Sequence, residues 1–203
     1  MDLTFRQVDV FAAEPFRGNP LAVIIGADGL SDVQMAQIAN WTNLSETTFL
    51  LRPTHPDADY RVRIFTPQTE LPFAGHPTLG SAFVWQSLGN TSKSDVIIQE
   101  CSAGLVPVRK QADRLAFAAP PWRRTGPVGA GDLTHALTAL RLAPDDILNA
   151  QWADNGPGWM VLRLPSRRDV LAIQRDWQRL QGKQVGVVGA WDPVRDGTDA
   201  QFE

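Results

Sequence analysis

Cysteine is almost absent from this chain. Cys101 is the only one in 203 residues, which excludes an intrachain disulfide and a zinc site built on thiolates. No stretch reaches the roughly 18 consecutive apolar residues that a membrane-spanning helix needs. No block of Lys and Arg stands out. With 19 basic and 22 acidic side chains the net charge is −3, which argues against nucleic acid as a partner. The first residues, MDLTFRQVDVFAAEPF, carry Asp2 and Asp9 and lack a basic start followed by an apolar run, so they do not form a secretory signal. What is present is ample apolar material: 43% of residues are hydrophobic and 20% charged. That balance supports a real core. The expectation is a cytoplasmic α/β or α+β protein, built as one large domain or two small ones.

Periodicity and punctuation divide the chain into short elements. LTFRQVDVF (3–11) and LAVII (21–25) read as strands around the turn-rich EPFRGNP. Ser31, with Gln34 three residues on, has the capping-box pattern of a helix start. SETTFLLR (45–52) reads as a strand with Thr47, Phe49 and Leu51 on one side and Glu46, Thr48 and Leu50 on the other. YRVRIFTP, VIIQE, LVPVRK and RLAFAA are further strands. A helix is expected over 77–88. PPWRRTGP (120–127) is the best boundary, which places the domains at 1–119 and 120–203. Beyond it, GDLTHALTALRL reads as a helix capped by Asp132, and WMVLRLP as a strand. SRRDVLAIQRDWQRLQG reads as one helix from its Ser166 cap to Gly182, and KQVGVVGAW as a strand.

The chemistry centres on ELPFAGHPTLGSAFVW (70–85). His76 is the only ionisable side chain between Glu70 and Lys93. The segment after it is apolar all round, the signature of a helix buried in a core. The first-turn amides of such a helix lack intrahelical acceptors and lie at its positive end. With Pro77 at the first helical position, the N–H groups of Gly75, His76, Thr78 and Leu79 are placed to converge on a carboxylate or phosphate. His76 adds a group able to exchange a proton near neutral pH. A buried helix with proline in its first turn is also ordinary architecture, and a histidine there can be a packing residue. Glu46, at a strand entrance, is either a solvated carboxylate or, if it projects into a cleft, a base strengthened by partial burial. Asn19 in Gly18-Asn19-Pro20 is a turn residue or a donor to a ligand. Cys101 reads as structural, and His55 and His135 as surface or packing residues. No metal site is expected.

Four ordered pieces, DVF with FRGNPLAV, LSETTF, and RIFTPQTELPFAGHPTLGSA, closely resemble the phenazine-biosynthesis PhzF-like family. The match is strong over 8–85 and continues more weakly through WADNGPGWMVL. The resemblance implies the diaminopimelate epimerase fold, an α+β architecture in which a curved mixed sheet wraps a central apolar helix, repeated in a second similar domain. It implies cofactor-free proton transfer between carbons of a small carboxylate-bearing metabolite. By the resemblance Glu46 would be the catalytic acid/base, with Gly75 and His76 as the family's glycine-histidine pair; with the reading of the residues themselves, this makes Glu46 and His76 the catalytic candidates and Gly75, Asn19 and Thr78 the substrate-binding ones. It also implies a homodimer. The cysteine pair of the epimerase relatives is missing, since Ala74 occupies the first of those positions.

The chain departs from the family late. Asp192-Pro193-Val194 is followed by Arg195-Asp196-Gly197 and reads as a loop, not as the family's Asp-Pro-Val-Thr-Gly-Ser stretch at a second central helix. A further strand is expected to begin at AQFE (200–203). The second domain is therefore expected to be incomplete and to expose Val185, Val187 and Val188. The alternative function is a catalytically inactive remnant that binds a small molecule or a protein.

Overall fold

A computed structural model describes residues 3–111, 114–119, 121–197 and 201–202. The chain divides into two compact units, Met1–Pro120 and Pro121–Glu203.

In the first unit, β1 (Thr4–Val10), β2 (Asn19–Ile25), α1 (Asp32–Thr42), β3 (Thr47–Leu51), β4 (Tyr60–Phe65), β5 (Glu70–Leu71), α2 (Gly75–Ser87), β6 (Val96–Cys101), β7 (Gly104–Gln111) and β8 (Arg114–Phe117) follow in sequence. The eight strands form one mixed sheet in the order β1-β2-β3-β4-β6-β7-β8, with β5 paired to β4 off that path. The β2–β3 and β4–β6 pairs are parallel and the others antiparallel. Laid flat, seven strands would separate the two edges by roughly 29 Å, far more than the ~10–12 Å width of a helix. Yet α2 touches β1 at one edge and β8 at the other, as well as β2, β3 and β6. The sheet therefore curls around α2.

This packing explains why α2 has no polar face. Pro77, Thr78, Gly80, Ser81, Ala82, Val84 and Trp85 are all buried, and a helix enclosed by a sheet has apolar neighbours in most directions. Small residues let the strands close in. A methyl at Gly80 would lie 2.6 Å from Leu21 Cδ2 and 2.9 Å from Val10 Cγ2, and both neighbours are themselves core residues. Gly80→Val is expected to lower stability by ~1–3 kcal/mol through overpacking, read as a reduced denaturant midpoint with secondary structure retained. The fully buried polar side chains around α2 are paired. Ser81 Oγ donates to Thr48 Oγ1 (3.0 Å), and Thr48 donates to the Ala22 carbonyl. Tyr60 donates to Gln99 Oε1 (2.9 Å), and Gln99 Nε2 donates to Thr78 Oγ1 (3.0 Å).

The other face of the sheet is covered by α1. The Ser31–Gln34 capping box forms as expected, and Met35 and Ala39 pack with Ile24, Phe49 and Phe65. β3 is consequently buried on both faces. Arg63 on β4 joins α1 to β5: its guanidinium donates to both Glu70 oxygens (2.8 and 2.7 Å) and to Asp32 (2.5 Å).

The second unit comprises β9 (Arg124–Pro127), α3 (Ala130–Leu140), β10 (Asn149–Asp154), β11 (Trp159–Leu164), α4 (Arg167–Leu171), α5 (Trp177–Leu180), β12 (Gln184–Gly189) and α6 (Pro193–Asp196). Its sheet runs β12-β11-β10-β9, and α3 packs on it through Ala136, Leu137 and Leu140.

Several expectations change here. PPWRRTGP is not all linker, because Arg124–Pro127 pairs with β10; Pro120 lies outside the described residues. Gly129, not Asp132, precedes α3, and Asp132 instead holds Lys183 at 2.8 Å. The helix expected from Ser166 to Gly182 is two short helices. Asp176 starts the second one by capping Gln178 and Arg179, while its own amide donates to the Ala139 carbonyl. Asp192-Pro193-Val194 is not a loop but the capped start of α6. Val185 and Val187 are partly buried against the second core instead of exposed. Of the strand expected at AQFE, Phe202 bridges Ala190, and Ala200 and Glu203 lie outside the described residues.

Candidate active site

Three separate segments of the first unit meet at the mouth of α2. Asn19 opens β2 after the 11–18 loop. That loop is tied down by Asp9, whose carboxylate accepts the Arg17 and Gly18 amides at 3.1 and 3.2 Å. Gly18 is required by space, since a methyl there would sit 2.2 Å from the Val10 carbonyl oxygen. Glu46 directly precedes β3. Asn43 ends α1 in the left-handed conformation (φ 53°) and turns the chain toward the strand. Strand alternation puts Glu46 on the side of Thr48, which bonds Ser81 of α2. His76 is the second residue of α2.

The helix starts two residues earlier than the sequence suggests. Ala74 is its N-cap and Pro77 its third residue, where a missing N–H still costs nothing because that amide would have no intrahelical acceptor. The Thr78 amide is the first to find one, donating to the Ala74 carbonyl at 3.3 Å. Thr78 is fully buried. Its hydroxyl donates to the Ala74 carbonyl and accepts from Gln99, so neither its amide nor its side chain is free for a ligand. The amides of Gly75 and His76 have no protein acceptor among the described residues. Gly75 also admits Phe117 of β8, whose Cζ would lie 3.2 Å from a methyl at this position.

The imidazole of His76 is bracketed. Its Nδ1 lies 3.3 Å from Asn19 Nδ2, and its Nε2 lies 3.3 Å from Glu46 Oε2. The His76 and Glu46 side chains are only 9% and 17% exposed. Glu46 Oε2 and His76 Nε2 face each other without the alignment of a hydrogen bond, and both are buried atoms without a hydrogen-bond partner. Burial pushes the His76 pKa down from 6.5 to about 4 and the Glu46 pKa up. Near neutral pH the histidine is therefore a neutral imidazole and the contact is not an ion pair. Two partnerless polar atoms thus stand at a helix start whose first two amides also lack a protein acceptor, and a small polar ligand that reached them would complete their hydrogen bonding.

The remaining candidates lie elsewhere. His55 sits in a loop near Asp57, and His135 on α3 contacts the Arg179 carbonyl. Cys101 is half-buried, and burial raises its thiol pKa, which disfavours a nucleophilic thiolate. No group of three or more His, Cys, Asp or Glu able to hold a metal occurs among the described residues. Two grooves, of about 410 Å³ beside Arg141 and Asp169 and about 370 Å³ beside Trp41, do not include this pair. Sequence reasoning did not assign a role to Asp9, although an acid just before a glycine-containing loop is a usable sign of side-chain-to-backbone anchoring.

A curled mixed sheet around an apolar helix, with Gly-His-Pro at the helix mouth, limits the possible relatives. Residues 8–203 match the family model described as phenazine biosynthesis-like protein. The chain belongs to the phenazine biosynthesis-like family. It is 43% identical over 185 residues to antisense-enhancing sequence 1 of Schizosaccharomyces pombe, covering 87% of this chain and 62% of that protein. It is 35% identical over 175 residues to trans-2,3-dihydro-3-hydroxyanthranilate isomerase of Pseudomonas chlororaphis, covering 85% and 61%. The crystal structure of a PhzF-family phenazine biosynthesis protein from Enterococcus faecalis matches with a TM-score of 0.73 at 26% identity, covering 100% of this chain and 72% of that one. The α+β fold with a curved sheet is thus that of the family. The chain spans about three-fifths of the length of these curated relatives. No helix among the described residues is long and apolar enough to cross a membrane.

Proposed function

We propose that this member of the phenazine biosynthesis-like family is an isomerase that moves a proton between carbons of a small, conjugated, carboxylate-bearing metabolite without a cofactor. The observation that carries this reading is the buried Glu46–His76 pair, with its two partnerless atoms at the open end of α2. In this reading the Gly75 and His76 amides hold the substrate carboxylate at the positive end of the helix. Glu46, as carboxylate, takes a proton from a substrate C–H, and the electron pair left behind is delocalised into the conjugated system. The carboxylic acid then returns the proton to another carbon of that system and regenerates the carboxylate. The step is balanced, with no oxidant or reductant. Partial burial suits Glu46 to the role, because a raised pKa makes it a stronger base.

The test is deuterium incorporation at carbon from D₂O, monitored by NMR. The first substrate to try is trans-2,3-dihydro-3-hydroxyanthranilate, the compound named for the Pseudomonas chlororaphis relative; other conjugated carboxylates follow. Enzyme-dependent exchange supports the isomerase. Saturable binding without exchange would favour the inactive, ligand-binding alternative.

The pH profile carries a second expectation. Activity requires Glu46 ionised, so the rate should fall as pH drops through a Glu46 pKa above the ordinary 4.5. His76 remains neutral down to about pH 4, so no break should occur near 6.5, where a solvated histidine titrates. A rate that changes around 6.5 and loses that change in His76→Gln would overturn the assignment of a neutral imidazole.

A further inference from the structure

We propose that Asn19 is a positioning residue that locks His76 into one tautomer, with its proton on Nε2, the ring nitrogen on the Glu46 side. This deepens the acid/base reading above and takes its functional meaning from it, but its test does not depend on it.

A neutral imidazole carries one ring proton, so one nitrogen donates and the other accepts. Glu46 Oε2 stands 3.3 Å from Nε2, and a carboxylate oxygen can only accept. Nε2 is therefore the nitrogen whose protonation Glu46 favours, since a bare lone pair there would face the carboxylate. Nδ1 is then a bare lone pair in a mostly buried ring, and it needs a donor. Asn19 Nδ2, at 3.3 Å, is the side-chain group that meets it. Both ends of the ring thus favour the same tautomer.

The loop geometry is consistent with this role. Asp9 anchors the two amides just before Asn19. Gly18 allows the chain to pass against the Val10 carbonyl. Asn19 is fixed in register opposite Val10 in the β1–β2 ladder. The amide is therefore delivered from a strand start with little freedom, as orientation of a ring by a supporting hydrogen bond requires. The consequence is a division of labour. His76 keeps its proton at Nε2 and is unavailable as a base, because its single lone pair is occupied by Asn19. Glu46 is left as the one group of the pair that can take a proton from carbon.

The test is the ¹⁵N spectrum of the full chain at neutral pH, with the His76 signals assigned by their loss in His76→Asn. The wild-type ring should show a protonated Nε2 and a bare Nδ1. Asn19→Asp places an acceptor at each ring nitrogen and should raise the His76 pKa, so that both nitrogens carry a proton. Asn19→Leu, which offers neither, should give a mixture of the two tautomers. A wild-type ring protonated on Nδ1, or an Asn19→Leu spectrum identical to wild type, would overturn the proposal. If Asn19→Leu does not fold, the wild-type and Asn19→Asp spectra decide. Should exchange at carbon survive Glu46→Gln, the acid/base reading fails while the tautomer result stands.

Discussion

Glu46→Gln is expected to reduce deuterium exchange at the substrate carbon by roughly 10²–10⁴-fold, the range typical of a lost general acid/base residue. Glutamine preserves size and hydrogen bonding and removes only the ability to accept and return a proton. The fold should not suffer. Glu46 is 17% exposed and its Oε2 has no hydrogen-bond partner, so the substitution replaces a desolvated charge by a neutral amide. Its melting temperature should equal or exceed that of wild type. Substrate affinity should change little, because the proposed carboxylate contacts are the Gly75 and His76 amides. This separates the variant from His76→Ala, which should impair both binding and turnover. Exchange that persists at the wild-type rate in Glu46→Gln would remove Glu46 from the mechanism.

Gly18→Ala should cost both stability and activity although residue 18 touches no reacting atom. The added methyl would lie 2.2 Å from the Val10 carbonyl oxygen and 2.7 Å from Asp9 Oδ1. Val10 is held in the β1–β2 ladder, so the loop must move instead. Overpacking of this kind costs ~1–3 kcal/mol, and the move also breaks the Asp9 bonds to Arg17 and Gly18 that hold Asn19 beside His76. The denaturant midpoint should fall, and the turnover number should fall with it. Gly131→Ala is the control. A methyl there meets nothing within 4 Å, and replacing glycine in a helix usually favours folding by a few tenths to 1 kcal/mol. Equal stabilities for the two variants would mean that the Gly18 contact is not constraining.

Local signals were legible wherever one side chain determines one backbone event. Ser31 and Gln34 write a capping box, and it forms. The strands around Val23, Phe49 and Val62 are short runs of β-formers bounded by turns, and each occurs. Glu46 could be set on the face of Thr48 because strand alternation has a strict period of two. Helix continuity was less legible. The segment from Ser166 to Gly182 has helical composition throughout. It breaks because Asp176 can cap a new start while its amide reaches Ala139, a partner 37 positions earlier in the chain. No window of neighbouring residues contains that contact.

The same distinction governs the site. The sequence by itself determined that α2 is apolar all round, that Gly75 and His76 stand at its mouth, and that Glu46 stands at the entrance of a strand, because these follow from composition and period within one element. Only the tertiary structure decided that Thr78 is committed to Gln99 and Ala74, that Gly75 and His76 keep their amides open, and that Asn19, Glu46 and His76 converge. The convergence depends on the parallel pairing of β2 with β3 and the packing of α2 on both, which bring positions 19, 46 and 76 together. Curl is set by how the strands pack around α2, and burial then shifts the pKa values of Glu46 and His76 in opposite directions. Neither effect belongs to any single segment, because desolvation is a property of the assembled surroundings and not of the residue that experiences it.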